Sequence, residues 1–164
     1  MATLTQPLRD EHKELFPHIE TLRRVADSIG QVGATELWQG VDEAYAFLAH
    51  HLIPHAQAED QALYPVVARV MGAPEATATM RRDHVAVGAL TDELAALRSR
   101  VTGPTLRENE ANDLRRVLYG LYTLVQVHFA KEEEIYLPLL DARLTPDEAD
   151  EMFAAMHKAA HAVT

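Results

Sequence analysis

One pattern of histidine and glutamate occurs twice in this chain with its spacing kept, and it limits the possible folds more than any other feature. His55 and Glu59 lie four residues apart in the stretch Ile53–Pro65, and His128 and Glu132 lie four apart in Val127–Pro138. A proline stands ten residues after each of these histidines, Pro65 in the first copy and Pro138 in the second. Each copy is preceded by a lone histidine among charged residues, His12 in RDEHKEL and His84 in RRDHVAV. The gap from His12 to His55 is 43 residues and that from His84 to His128 is 44. The whole pattern, H…HxxxE, is therefore repeated at a displacement of 72 or 73 residues.

Residues four apart share one face of an α-helix, with Cβ atoms about 5–6 Å apart, so HxxxE aims an imidazole and a carboxylate at one point. The surrounding residues carry helical periodicity. Leu8, His12, Leu15, Ile19, Leu22 and Ala26 mark one face of a first helix, from about Thr5 to Ile29, with Pro7 in its first turn and Gly30 at its end. Pro17 predicts a local kink there, because its ring crowds the carbonyl of residue 13. Leu37, Val41, Ala44, Leu48, Leu52, His55, Glu59 and Leu63 trace the inner side of a second helix, bent near Pro54 and ended by MGAP at 71–74. A third helix, about 75–101, carries Met80, His84, Val87, Thr91, Leu94 and Leu97, and TGP at 102–104 is its stop. The fourth, about 106–137, carries Leu114, Val117, Leu118, Leu121, Leu124, Val125, His128, Glu132 and Ile135. Thr145 is placed to cap a short fifth helix over about 146–162.

No stretch reads as a strand. The expected fold is all-α: an antiparallel up-down-up-down four-helix bundle over about 5–140 with a short C-terminal extra helix, residues 1–164 forming a single domain. A chain of 164 residues is long enough to bury a sizeable core. Its formal charge of −10, with no basic cluster longer than a pair such as Arg23–Arg24, disfavours nucleic acid and anionic membranes as partners. The absence of cysteine removes thiolate metal sites and cysteine nucleophiles. No basic segment followed by an apolar run opens the chain, so the cytoplasm is the expected location.

In such a bundle His12, His55, Glu59, His84, His128 and Glu132 converge on the core. Six polar groups on four apolar stripes are costly to bury without compensation. Four imidazoles and two carboxylates suit a dinuclear first-row metal site, with iron, manganese or zinc all acceptable to the ligand set. Several other residues compete for roles at its edge. His51, one helical turn before His55, is a candidate supporting residue or ligand. Glu133 reads as solvent-facing and as a candidate extra ligand. Tyr64 and Tyr136, at similar offsets from the two histidines, are expected to pack at the bundle end or to hydrogen-bond near the metals. His18, His50, His157 and His161 read as ordinary surface residues. The Glu-x-x-His pairs of ferritin-like di-iron bundles do not occur in this chain.

DEH at 10–12, HAQAE at 55–59, RDH at 82–84 and HFAKE at 128–132 resemble the hemerythrin-like (HHE cation-binding) family over roughly residues 8–140. The resemblance implies a non-haem di-iron centre, two iron ions bridged by an oxo or hydroxo group, with the six residues above as ligands. The oxygen carriers of that family place a further histidine four residues after the third-helix one, where this chain has Gly88, and use HxxxxD where it has HxxxE. With one histidine fewer, the resemblance implies a more open centre and makes reversible dioxygen carriage a weaker expectation. The first functional expectation is a di-iron oxidoreductase reacting with hydrogen peroxide, nitric oxide or both. The second is binding, sensing or storage of O2, NO or iron without turnover. The third is a metal-free helical interaction module, which the buried duplication argues against.

Overall fold

The computed structural model describes residues 3–101 and 105–162, and they are all helical or in the turns between helices. The first helix, α1, spans Gln6–Ser28 with Pro7 in its first turn and runs unbroken through Pro17. The second long helical stretch is composite. It consists of α2 (Ala34–Phe47), α3 (Ile53–Ala58) and α4 (Tyr64–Met71), joined by π-helical turns at Leu48–Leu52 and Glu59–Leu63. Gly72, at φ 67°, adopts the left-handed conformation that ends α4, a geometry glycine reaches without a Cβ penalty. A 3-10 turn at Pro74–Thr77 leads into α5 (Ala78–Arg100). The expected stop of that helix at 102–104 lies outside the described residues. The next stretch is α6 (Glu108–Lys131), a π-helical turn at Glu132–Tyr136, and α7 (Leu137–Arg143). Last comes α8 (Pro146–His161), capped as expected by Thr145, whose hydroxyl accepts from the Glu148 N–H while Glu148 reaches back to the Thr145 N–H.

The three π turns share a feature in sequence that Pro17, inside the unbroken α1, shows is not sufficient by itself. Each ends two residues before a proline, at Pro54, Pro65 and Pro138. A proline in a helix removes one N–H and crowds the carbonyl four residues back. Widening the preceding turn relieves that conflict: the N–H groups of Ile53, Tyr64 and Leu137 reach five residues back, to the carbonyls of Leu48, Glu59 and Glu132. The bend expected near Pro54 is thus a change of helical pitch. It also rotates every residue that follows. Ile135, placed on the inner stripe by an unbroken 3.6-residue period, is 56% exposed, and Leu137 is fully buried instead.

Side-chain partners on neighbouring helices run in opposite order. Between α1 and the α6–α7 stretch, Asp27 pairs with Tyr119, Glu20 with Tyr122, and Arg9 with Glu133. Between the second stretch and α5, Asp42 pairs with Arg98 and Asp60 with His84. Two apolar clusters fill the interior. One is built from Ile19, Leu22, Val41, Leu48, Leu94, Leu118 and Leu121 with their neighbours, the other from Leu8, Leu63, Val67, Met80, Leu137, Leu140 and the buried face of α8. His12, His55, Glu59, His128 and Glu132 are buried among the residues of those stripes, and His84 has 8% of its side chain exposed.

Candidate metal centre

The two HxxxE pairs sit at the two wide turns. Glu59 and Glu132 each open a π-helical turn, and the histidine of each pair lies in the α-helical turn just before it. π turns of this kind recur at functional sites because they alter which residues share a face. His12 comes from the first turns of α1, and His84 from the second turn of α5.

The four Nε2 atoms point inwards at the two carboxylates. His55 Nε2 lies 3.0 Å from Glu59 Oε1, and His12 Nε2 lies 3.7 Å from the same oxygen. The other oxygen of Glu59, Oε2, is 3.3 Å from His84 Nε2 and 3.9 Å from His128 Nε2. Glu132 is shared in the same way, with Oε2 3.5 Å from His12 Nε2 and Oε1 3.4 Å from His128 Nε2. Each carboxylate therefore gives one oxygen to the His12–His55 half and one to the His84–His128 half. His12, His55 and Glu59 form one group able to hold a metal ion, and Glu59, His84 and His128 form another.

Unmet polar atoms test whether cations fit here. His12 Nε2, His55 Nε2, both oxygens of Glu59 and Oε2 of Glu132 are buried and lack a hydrogen-bond partner. Two carboxylates with no solvent exposure need positive charge beside them. In the protein alone, protons on His55 and His128 supply it. Burial works against a charged His55, but the Glu59 charge and the Glu11 carboxylate outweigh it and hold His55 well above the ordinary imidazole range. His128 is likewise disfavoured by burial yet pushed up to about 10 by Glu132 and Glu59. Burial alone would raise Glu59, and the surrounding imidazoles hold it well below the usual carboxylate range. Cations bound at these atoms would replace the protons. The donor set fits a metal.

The outward Nδ1 atom of each of these four histidines meets a carboxylate, and the pairing is crosswise. Glu11, beside His12 in sequence, bonds His55 Nδ1 at 2.9 Å, and Asp83, beside His84, bonds His128 Nδ1 at 3.0 Å. Asp60, next to Glu59, bonds His84 Nδ1 at 3.0 Å, and Glu133, next to Glu132, bonds His12 Nδ1 at 2.8 Å. An acceptor on Nδ1 places that proton there, leaves Nε2 as the lone-pair donor, and fixes the plane of the ring. The duplication carried this signal too, since an acid precedes His12 and His84 and another follows Glu59 and Glu132. Glu133 is thus a histidine-orienting residue, itself held by Arg9 at 2.6 Å, rather than a solvent-facing one.

Tyr64 is the one neighbour of the centre whose hydroxyl reaches both a carboxylate and two histidines among the described residues. It donates to Glu132 Oε1 at 2.6 Å and lies 3.1 Å from His128 Nε2 and 3.4 Å from His84 Nε2. Burial and the charges of Glu59 and Glu132 push its hydroxyl far up, so it stays a donor. Tyr136 instead donates to the Ala76 carbonyl, away from the centre. His51 is exposed and stacks loosely on Phe47, at 6.3 Å between ring centroids. His51 lies within the π turn at Leu48–Leu52, whose wider pitch takes it off the face His55 occupies in α3.

No helix among the described residues is long and apolar enough to cross a membrane. No curated protein and no solved structure matches the chain. The model of the hemerythrin HHE cation binding domain matches residues 3–140, which include all six converging residues and the four carboxylates behind them. With most of its length so matched, the chain belongs to the hemerythrin HHE cation binding domain family.

Proposed function

We propose that the chain is a non-haem di-iron protein whose two iron ions are held by His12, His55, Glu59, His84, His128 and Glu132, and that it consumes hydrogen peroxide, nitric oxide or both. Its frame on this reading is an antiparallel up-down-up-down bundle forming one unit with α8, a topology supported by the reversed order of side-chain partners. The observation that carries the proposal is the division of each buried carboxylate between two histidine pairs. A single cation would leave half of those oxygens unmet, whereas two cations use all of them.

Two bound irons would supply a redox-active Lewis-acid centre with coordination positions left for a small oxidant. The protein contributes the rest. Glu59 and Glu132 would help hold the cations and offset their charge. The crosswise acids hold each imidazole with Nε2 facing inwards, which keeps the ligand set preorganised. Phe129 covers one side, stacking on His12 at 4.2 Å between centroids and limiting water. Tyr64 keeps a hydrogen bond available beside the second histidine pair.

The test is peroxide consumption by the iron-loaded protein. Rapid conversion of hydrogen peroxide to water and dioxygen, collapsing in both His55→Ala and Glu132→Ala, is the expected result. A reversible oxygenated spectrum with no turnover would replace this reading with the binding or sensing of O2, NO or iron.

A further inference from the structure

A cavity of about 660 Å³ lies between α1, α3 and α8, against the outer side of the His12–His55 half. Its volume is within the range of small-molecule sites, about 300–1,000 Å³. The wall formed by α8 comes from beyond residue 140, so it is not part of the matched domain. The floor is apolar, with Leu8, Leu15, Ala58, Phe153 and Met156. Exposed imidazoles, among them His50, His51 and His157, stand round the mouth. Glu11 and His55 line the inner end, joined through Glu11 Oε1 and His55 Nδ1 at 2.9 Å.

Chemistry narrows the occupant. Among the described residues lining the cavity there is no lysine or arginine, while Glu11 and Glu14 are there, so a phosphorylated or carboxylated ligand meets repulsion. The apolar floor suits a ring. Imidazoles and carboxylates at both ends offer donors and acceptors to hydroxyl groups. We propose that this cavity binds a neutral hydroxy-aromatic reductant of the hydroquinone class, the electron source for a second, peroxidase-type use of hydrogen peroxide at the centre proposed above, beside the disproportionation that needs no reductant. The inference rests on that reading for the oxidant. In the full step a hydroquinone loses two electrons and two protons to become a quinone, and the O–O bond of hydrogen peroxide breaks. The peroxide oxygens take up the same two electrons and two protons and leave as two water molecules. His55 separates the cavity from the carboxylates, with Nδ1 on Glu11 and Nε2 3.0 Å from Glu59 Oε1.

Two measurements test this. Calorimetric titration of resorcinol, a dihydroxybenzene that does not form a quinone, reads binding to the purified protein without turnover. Steady-state oxidation of hydroquinone by the iron-loaded protein with peroxide reads the reductant role. Ala160→Trp fills the cavity from α8, and Leu15→Trp fills it from the α1 wall, so a local packing failure in one does not decide the result. Saturable resorcinol binding, weakened at least tenfold in both variants, is expected. The KM for hydroquinone should rise by a similar factor while peroxide consumption without hydroquinone stays unchanged. Absence of saturable binding, or equal binding in wild type and both variants, overturns the cavity assignment. Binding lost in the variants, with no peroxide consumed by any of the proteins, overturns the peroxide reading and the reductant role with it, while the cavity assignment stands.

Discussion

The two halves of the centre descend from one repeated pattern, yet their surroundings differ. In the half formed by His84 and His128 the two Nε2 atoms are 3.0 Å apart and share the Tyr64 hydroxyl. Behind them Asp83 is gripped by Lys131, Arg81 lies 3.6 Å from Asp60, and the Arg81 guanidinium sits 5.6 Å from the Tyr64 ring centre. In the half formed by His12 and His55 the rings meet edge-on at 5.3 Å and both Nε2 atoms lack a hydrogen-bond partner. Cavities flank that half on both sides, one against His55 and one against His12. The repeat itself shows where the symmetry breaks. Tyr64 corresponds to Leu137, 73 residues later, and Phe129 corresponds to Ala56. One half has a built-in hydrogen-bond donor in Tyr64, and the other has unpaired Nε2 atoms with a cavity on either side. The duplicated His and Glu residues thus set the place of a cluster that could hold metal, and unmatched neighbours give its two sides different surroundings.

The largest effect is expected where the halves meet. Glu59 faces both pairs, so Glu59→Ala should abolish iron uptake altogether rather than halve it. Metal analysis showing one iron retained would mean the two halves bind independently.

Acid–base behaviour of the metal-free protein comes next. Raised histidines stabilise the fold fully below their unfolded value of about 6.5 and lose that contribution as pH climbs through the folded value, about 10 for His128. Depressed Glu59 acts in the opposite sense, contributing above the usual carboxylate value and losing it in acid. Denaturant midpoints of metal-free protein should therefore be higher near pH ~6 than near pH ~9.5. Bound metal removes the alkaline loss, because ligating imidazoles are neutral, and makes mild acid the destabilising direction through metal release. A metal-free protein more stable at the alkaline pH would refute the charge balance.

Smaller changes separate the halves. Removing an acid behind a ligating histidine weakens metal binding by about 10–100-fold. Asp83→Asn should fall at the upper end, since Lys131 loses its partner as well, and Glu11→Gln at the lower end, since Glu11 is about half exposed. Competition with a chelator ranks them, and the reverse order would contradict the account of the second half. Tyr64→Phe is expected to have the smallest effect. It leaves the shape intact and removes one hydrogen bond to a buried carboxylate, costing about 1–3 kcal/mol in the metal-free protein. The matching change Leu137→Tyr should add a phenol to the first half and alter its spectrum, and no spectral change would show that the two positions are not equivalent.

Much of the cluster was legible in the sequence because polar groups that meet inside a helical bundle recur at fixed offsets. His12, His55, Glu59, His84, His128 and Glu132 stand out by spacing alone, and they converge. The orienting acids were just as regular, but acids beside ligands look like any solvated helix face until partners across helices are known. Ile135 and His51 were misplaced for a different reason. A period of 3.6 residues fails across a π turn, and Pro54, Pro65 and Pro138 marked where it would fail without giving the sense of the rotation. Tyr64 could not be separated from Tyr136 by offset, since the same rotation decides which of the two reaches the core.

Iron content, measured on protein produced with iron and paired with its ultraviolet–visible spectrum, tests the central claim most directly. The account predicts two irons per chain with near-ultraviolet absorption of a bridged pair. A chain that takes up no iron when loaded, or that saturates at one, would contradict a centre built on two shared carboxylates.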